Sequence, residues 1–161
     1  MVDEIQFSIT DNVRLRPACV EDTEIYFDWV SDEVVRQQSF HSKPILWEDH
    51  KKWFKEKLLL NSCLMFVMEV NDKSVGQIRF DIENNVAYID YSLDKKVRGK
   101  GLGAVLVNQG IKLVPNNSNL LFHAEVKRKN IESAKIFLKL NFDEKNNSNS
   151  EVRVFQLQLI T

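Results

Sequence analysis

The residues best suited by type and spacing to do chemistry are Arg98-Gly99-Lys100-Gly101-Leu102-Gly103-Ala104, which follow an apolar strand pattern and open a helical one. Glycines here let the backbone turn tightly and leave consecutive N–H groups uncovered by side chains. With the positive end of the following helix dipole, those donors suit a pyrophosphate. Arg98 and Lys100 add local positive charge to a chain whose 22 basic and 23 acidic residues leave a formal net charge of −1. No global field draws such a chain to nucleic acid or an anionic membrane, so an anion site must be built locally. The turn is not a Walker loop, because no Gly-Lys-Ser/Thr closes it. Nor is it a dinucleotide fingerprint, since its preceding strand belongs to a meander and no βαβ unit supplies the ribose-binding acid.

The elements that must position this turn are legible from periodicity. Length (161 residues) suits one domain, 1–161, with one core. Residues 13–16 alternate apolar and basic and stop at Pro17, a short first strand. Helices are expected at 21–30, with Ile25, Tyr26 and Trp29 as its stripe, and at 47–60, with Trp47, His50, Phe54, Lys57 and Leu58 along one side. Strands at 63–70, 74–82 and 86–93, joined by polar turns, form an antiparallel meander. A helix over 98–114 turns Leu102, Val105, Leu106 and Leu113 inward and ends at Pro115. A strand at 120–126 follows, and Asn130 caps a helix with Ile131, Ala134, Phe137 and Leu138 inward. Residues 143–150 read as a loop, with an extra short strand allowed near Phe142, and 152–160 as the last strand. Helices inserted into a mixed sheet indicate an α+β or α/β sandwich.

Cys19 and Cys63 lie outside any metal-ligand spacing and read as reduced thiols; His41, His50 and His123 are too dispersed for a zinc site. Met1-Val2-Asp3-Glu4 has no basic or apolar leader character, and no apolar run approaches a membrane span. The expectation is a cytoplasmic protein without membrane or nucleic-acid partners.

With these elements in place the chain resembles the GNAT superfamily of acetyltransferases. Arg98-Gly99-Lys100-Gly101-Leu102-Gly103 fits its Q/R-x-x-G-x-G/A signature. Residues 87–93 look like its fourth strand, Ala124-Glu125-Val126 like its fifth, and Asn130-Ile131-Glu132-Ser133-Ala134 like its fourth helix. Leu140-Asn141-Phe142 stands where the family usually has Leu-Gly-Phe. The resemblance implies a mixed, mostly antiparallel sheet of six to seven strands flanked by four helices. It implies acetyl-CoA as co-substrate, with no metal required. Arg98 through Ala104 would hold the pyrophosphate by backbone amides, and Ser92 and Leu93 would meet the pantetheine arm, offering an N–H to the thioester oxygen. Asn130 and Ser133 match positions near the pantetheine or its phosphates, and Asn130 reads equally as a plain helix cap. One departure matters. Many relatives carry a tyrosine that protonates the departing thiolate, and here that position is Phe137, four residues after Ser133. The role is then vacant, supplied by water, or moved elsewhere; a thiol of pKa ~8.5 leaves well enough to tolerate its loss.

A base or water chain must take the proton of the acceptor amine. Tyr88, Asp90 and Ser92 share one strand face by the two-residue period. Tyr88 fills a position where many relatives place glutamate, so Asp90 is the first candidate base, set against a structural pairing with Arg79. His123 and Glu125, on one face of the fifth strand, rank next. The segment from Trp29 through Arg36 and His41 to Trp53 resembles the relatives that acetylate nucleotide-linked amino-deoxysugars, including the pseudaminic-acid-pathway type. Phenylalanine at the Phe137 position is tolerated there. Arg36 is expected to meet a diphosphate and His41 to reach substrate from a loop, while at least two of Trp29, Trp47 and Trp53 are expected to be core anchors. The competing readings are a protein N-terminal acetyltransferase of the ribosomal-protein type and a non-catalytic acyl-CoA-binding module. The chain is expected to be a monomer or homodimer.

Overall fold

The apolar run at 63–70 and the middle of the next strand are buried on both faces, as central strands between two helical layers should be. The computed structural model describes residues 12–160. Seven strands form one sheet: β1 (Val13–Pro17), β2 (Cys63–Val70), β3 (Lys73–Glu83), β4 (Val86–Leu93), β5 (Leu121–Lys127), β6 (Asp143–Lys145) and β7 (Val152–Gln158). Their order is β1-β2-β3-β4-β5-β7-β6. The two hairpins of the meander turn on Asn71-Asp72 and Asn84-Asn85, all four at positive φ, the backbone that two-residue hairpins demand and that Asn and Asp tolerate.

Among the described residues five α-helices cover the sheet: α1 (Thr23–Ser31), α2 (Glu33–Gln38), α3 (Trp47–Leu58), α4 (Leu102–Leu113) and α5 (Ile131–Lys139). On one face, Tyr26 and Trp29 of α1 and Phe54 of α3 pack on Cys63, Met65 and Val67 of β2. On the other, Leu106 and Ile111 of α4 and Ala134 and Phe137 of α5 pack on Ile78, Phe80, Phe122 and Phe155. Phe137 stacks on Phe155 at 5.7 Å and meets Phe142 edge-on at 5.0 Å. Truncating such a ring to alanine costs about 3–5 kcal/mol. Among the described residues no helix is long and apolar enough to cross a membrane.

Several expectations are corrected. The helix expected at 21–30 opens with a short 3₁₀ turn, Val20–Asp22, before α1 proper. A second helix, α2, follows at once because Asp32 accepts hydrogen bonds from the N–H groups of Val34 and Val35, a side-chain cap that restarts the helix. The extra short strand allowed near Phe142 is present as β6, which takes the first residues of the expected 143–150 loop and pairs with β7. Leu113, Ile131 and Leu138, expected inward, are about half exposed. In α5 the narrow stripe touching the sheet runs through Ser133, Ala134 and Phe137, and Ile131 and Leu138 flank it. Trp29 is a core anchor, whereas Trp47 is 38% exposed and rests edge-on against Phe27.

One feature of the sheet makes the site. β4 and β5 run parallel and pair only through Val86↔Leu121, Ala87↔Phe122 and Tyr88↔His123. Beyond that point β4 stays paired to β3 and β5 to β7, so the strands part as a V. Residues 90–93 and 124–126 form its arms, on strands held rigid from outside.

Candidate active site

The V opens into a cleft of about 1160 Å³ that runs between α4 and α5 on one side and α1–α3 on the other. Gly99 and Gly101 carry φ of +75° and +80° at its edge, a conformation side chains with a Cβ resist. Gly101 is the N-cap of α4 and no side chain caps that helix, so its first-turn N–H groups remain available to a ligand. Gly103 serves a different need: a Cβ there would come within 2.5 Å of Ile136 Cδ1, so its absence lets α4 and α5 approach. Arg98 turns inward. Its guanidinium donates to the Leu93 carbonyl at 3.2 and 3.1 Å and to Asp32 Oδ1 at 2.8 Å. Arg98, Gly99, Gly101, Leu102, Gly103 and Ala104 line the cleft, and Lys100 is not among its lining residues.

On the wall formed by α5, Asn130 accepts the N–H of Ser133 through its side chain at 3.2 Å, and both residues face the cleft. The Ser133 hydroxyl meets the Tyr91 hydroxyl at 2.9 Å, while the Tyr91 ring lies edge-on to Phe137 at 6.0 Å. Burial pushes the Tyr91 phenol up to about 12, outweighing the opposing bond from Ser133. It therefore stays protonated at neutral pH. A hydroxyl pair thus stands beside the apolar ring that occupies the usual tyrosine position.

The opposite face of β4 carries Asp90 and Ser92. Gln77, their neighbour on β3, donates its Nε2 to Asp90 Oδ2 at 3.1 Å and to Ser92 Oγ at 3.2 Å. Arg79 lies across from Asp90 at 3.8 Å and bonds Asp81 at 2.8 Å, with its guanidinium 5.1 Å from the Trp53 ring centre. Burial would lower the Arg79 pKa, yet Asp90 and Asp81 together raise it. The Asp90 side chain is 55% exposed and faces the cleft. Glu125 lines the other arm. His123 donates through Nε2 toward Glu125 at 3.3 Å when its Nδ1 accepts from Gln156 Nε2 at 3.1 Å. His123 and Tyr88, whose rings meet edge-on at 5.2 Å, sit at the closed root of the V and are not among the residues that line the cleft.

The chain matches the acetyltransferase (GNAT) domain model over residues 12–143. It belongs to the GNAT acetyltransferase family. Among solved structures it is similar to a domain from Methanocaldococcus jannaschii, at 20% identity and TM-score 0.81, covering 92% of this chain and 99% of that one. It is also similar to a ribosomal L7/L12 alpha-N-protein acetyltransferase in complex with coenzyme A (17%, TM-score 0.79, covering 94% and 97%). A third is spermidine N-acetyltransferase from Vibrio cholerae with CoA and spermine (15%, TM-score 0.78, covering 89% and 92%). Among curated proteins no sequence matches this chain. The protein is accordingly an N-acetyltransferase that draws on acetyl-CoA, and the glycine turn, the uncapped α4 and the V supply a fitting place for that co-substrate.

In this acetyltransferase the half of the cleft nearest α1–α3 is lined by Tyr26, Phe40, His41, His50 and Trp53. His50 Nε2 meets the Thr23 carbonyl at 2.9 Å, and burial holds its pKa below the usual histidine range. Arg36 lines the same space, but its donors are occupied by the carbonyls of Val30, His41 and Lys43 and by Ser39 Oγ. It shapes the loop that presents His41. Lys127 of β5 reaches across to the Gln37 carbonyl of α2 at 2.8 Å and bridges the mouth. Sequence reasoning missed Gln77 and Tyr91. A lone glutamine inside the apolar β3 run was the one available signal for the former; Tyr91 reads from sequence as ordinary core.

Proposed function

We propose that the acceptor is a primary amine on a ring-bearing small molecule, a nucleotide-linked amino-deoxysugar, and that Asp90 receives the amine proton directly or through one water. The observation that carries this is the pair of accessible rings, Phe40 and Trp53, lining the same half of the cleft as Asp90, since such faces stack against rings. Gln77 donates to the carboxylate at 3.1 Å and Arg79 lies 3.8 Å from it, so the side chain is held at the β4 arm facing the cleft. Backbone N–H groups near Ser92 and Leu93 suit the developing oxyanion, and residues 98–104 with Asn130 and Ser133 hold the co-substrate. The Tyr91–Ser133 hydroxyl pair stands beside Phe137 and can donate a hydrogen bond to the departing thiolate, which takes its proton from water. No step in this account needs a metal ion. We place the reaction in the cytoplasm, consistent with the two unpaired thiols.

A second reading, a protein α-amine as acceptor, is supported by carboxylates on both arms: Asp90 on one and Glu125, 52% exposed, on the other. Calorimetric titration of the CoA-loaded protein decides between them. Saturable binding of a nucleotide-linked amino sugar, lost in Phe40→Ala, is expected; binding of N-terminal peptides alone would favour the second reading.

A further inference from the structure

The corner between α1 and α2 is tied to the phosphate turn by two polar links. Asp32 Oδ1 accepts the N–H groups of Val34 and Val35 at 3.1 and 3.2 Å, capping α2, and the same oxygen accepts Arg98 Nη2 at 2.8 Å. Trp29 Nε1 donates to Asp94 Oδ2 at 3.1 Å, while Asp94 Oδ1 accepts the Lys96 N–H at the start of the 3₁₀ turn leading to Arg98. Arg98 then joins the Leu93 carbonyl, at the end of the β4 arm. The Asp32 and Arg98 side chains are 19% and 30% exposed, so the pair is screened less than a surface bridge. Burial pushes the Asp32 pKa up, but the Arg98 bond and the two cap N–H groups bring it below the usual range.

The helix at the far end of this chain of bonds has little packing to hold it. α2 is six residues long and contains no buried residue. A helix so short is not stable by itself, and its order depends on its caps and neighbours. Yet Arg36 on α2 ties down the His41 loop, and Gln37 receives the Lys127 bridge, so the acceptor wall hangs on it.

We propose that Asp32 is a positioning residue that couples the acetyl-CoA turn to the acceptor wall. An anion seated at residues 98–104 fixes Arg98, Arg98 fixes Asp32, and Asp32 fixes α2 and the loop bearing His41. The proposal rests on reading residues 98–104 as the phosphate turn and is independent of which amine is acetylated.

Hydrogen–deuterium exchange of α2 with and without saturating CoA tests it. Asp32→Asn keeps a side-chain oxygen for the cap and removes the charge from the pair; Arg98→Gln approaches from the other side. In the wild type, CoA should slow exchange of the α2 amides by roughly three- to tenfold, in the range of ordinary coupling energies. Both variants should still saturate with CoA at higher concentration and lose that slowing, and the double variant should lose no more than either. CoA binding that leaves wild-type α2 unaffected, or slowing retained in Asp32→Asn, overturns the role of Asp32. Should one variant melt below the wild type, the other carries the test. Failure of the wild type to bind CoA at all overturns the reading of the turn instead.

Discussion

On the cofactor side of the cleft the geometry is set by backbone and apolar packing. Positive φ at Gly99 and Gly101, the parting of β4 from β5, and rings such as Phe137 and Phe155 hold the turn and its helix. On the proposed acceptor side, side-chain hydrogen bonds and ion pairs hold the groups in place: Gln77 with Asp90 and Ser92, Arg79 with Asp81, Arg36 with three carbonyls. In the proposed reading the first half meets a diphosphate and a pantetheine, which present the same groups in every turnover, and a fixed backbone serves that. The second half can be retuned one side chain at a time without disturbing the sheet.

The sharpest way to separate the halves is Asp90→Asn. It should lower kcat by on the order of 10²–10³-fold, as loss of a general base does, while CoA affinity by calorimetry stays unchanged. A near-normal rate would move the base to Glu125. Gly101→Val should do the reverse, weakening CoA binding by on the order of 100-fold, since a β-branched residue resists φ of +80° and the turn must change its backbone to take one. Unchanged affinity would break the assignment of the turn.

The network that joins Arg14 and Arg16 of β1 to Asp22 and to Glu69 of β2 predicts an acid limb in stability. Burial pushes the Asp22 carboxyl up, but Arg16 and the Cys19 N–H bring it below its ordinary 3.8; Arg16 and Arg14 hold Glu69 below 4.5. Because these folded-state values lie below the unfolded ones, the stabilisation is complete above about pH 4.5 and is lost as pH falls through 3.8 and lower. Asp22→Asn should destabilise by about 2 kcal/mol at pH 7 and flatten that limb in denaturant titrations. The smallest effect is expected from Phe40→Ala, half exposed on the wall: a roughly fivefold rise in acceptor KM with kcat little changed.

The same division explains how much was legible in the sequence. Hairpin turns at Asn71-Asp72 and Asn84-Asn85, the strand runs and the Arg98–Ala104 turn are local signals, and the structure has them where periodicity puts them. The helix α2 was missed because its cap, Asp32, is a single residue between two helices too close for periodicity to part. Arg36 reads from sequence as a residue to meet a diphosphate, because sequence shows its charge and not the three carbonyls around it. Gln77, likewise, acquires meaning only from the β3–β4 register that sets it opposite Ser92. Side-chain partnerships across distant elements define the acceptor half, and no local pattern encodes them.

The most direct test of the account is free-thiol release from acetyl-CoA against a panel of nucleotide-linked amino sugars, polyamines and N-terminal peptides. The account predicts robust turnover with an amino sugar, abolished by Asp90→Asn. Turnover confined to peptides or polyamines would contradict the acceptor assigned here.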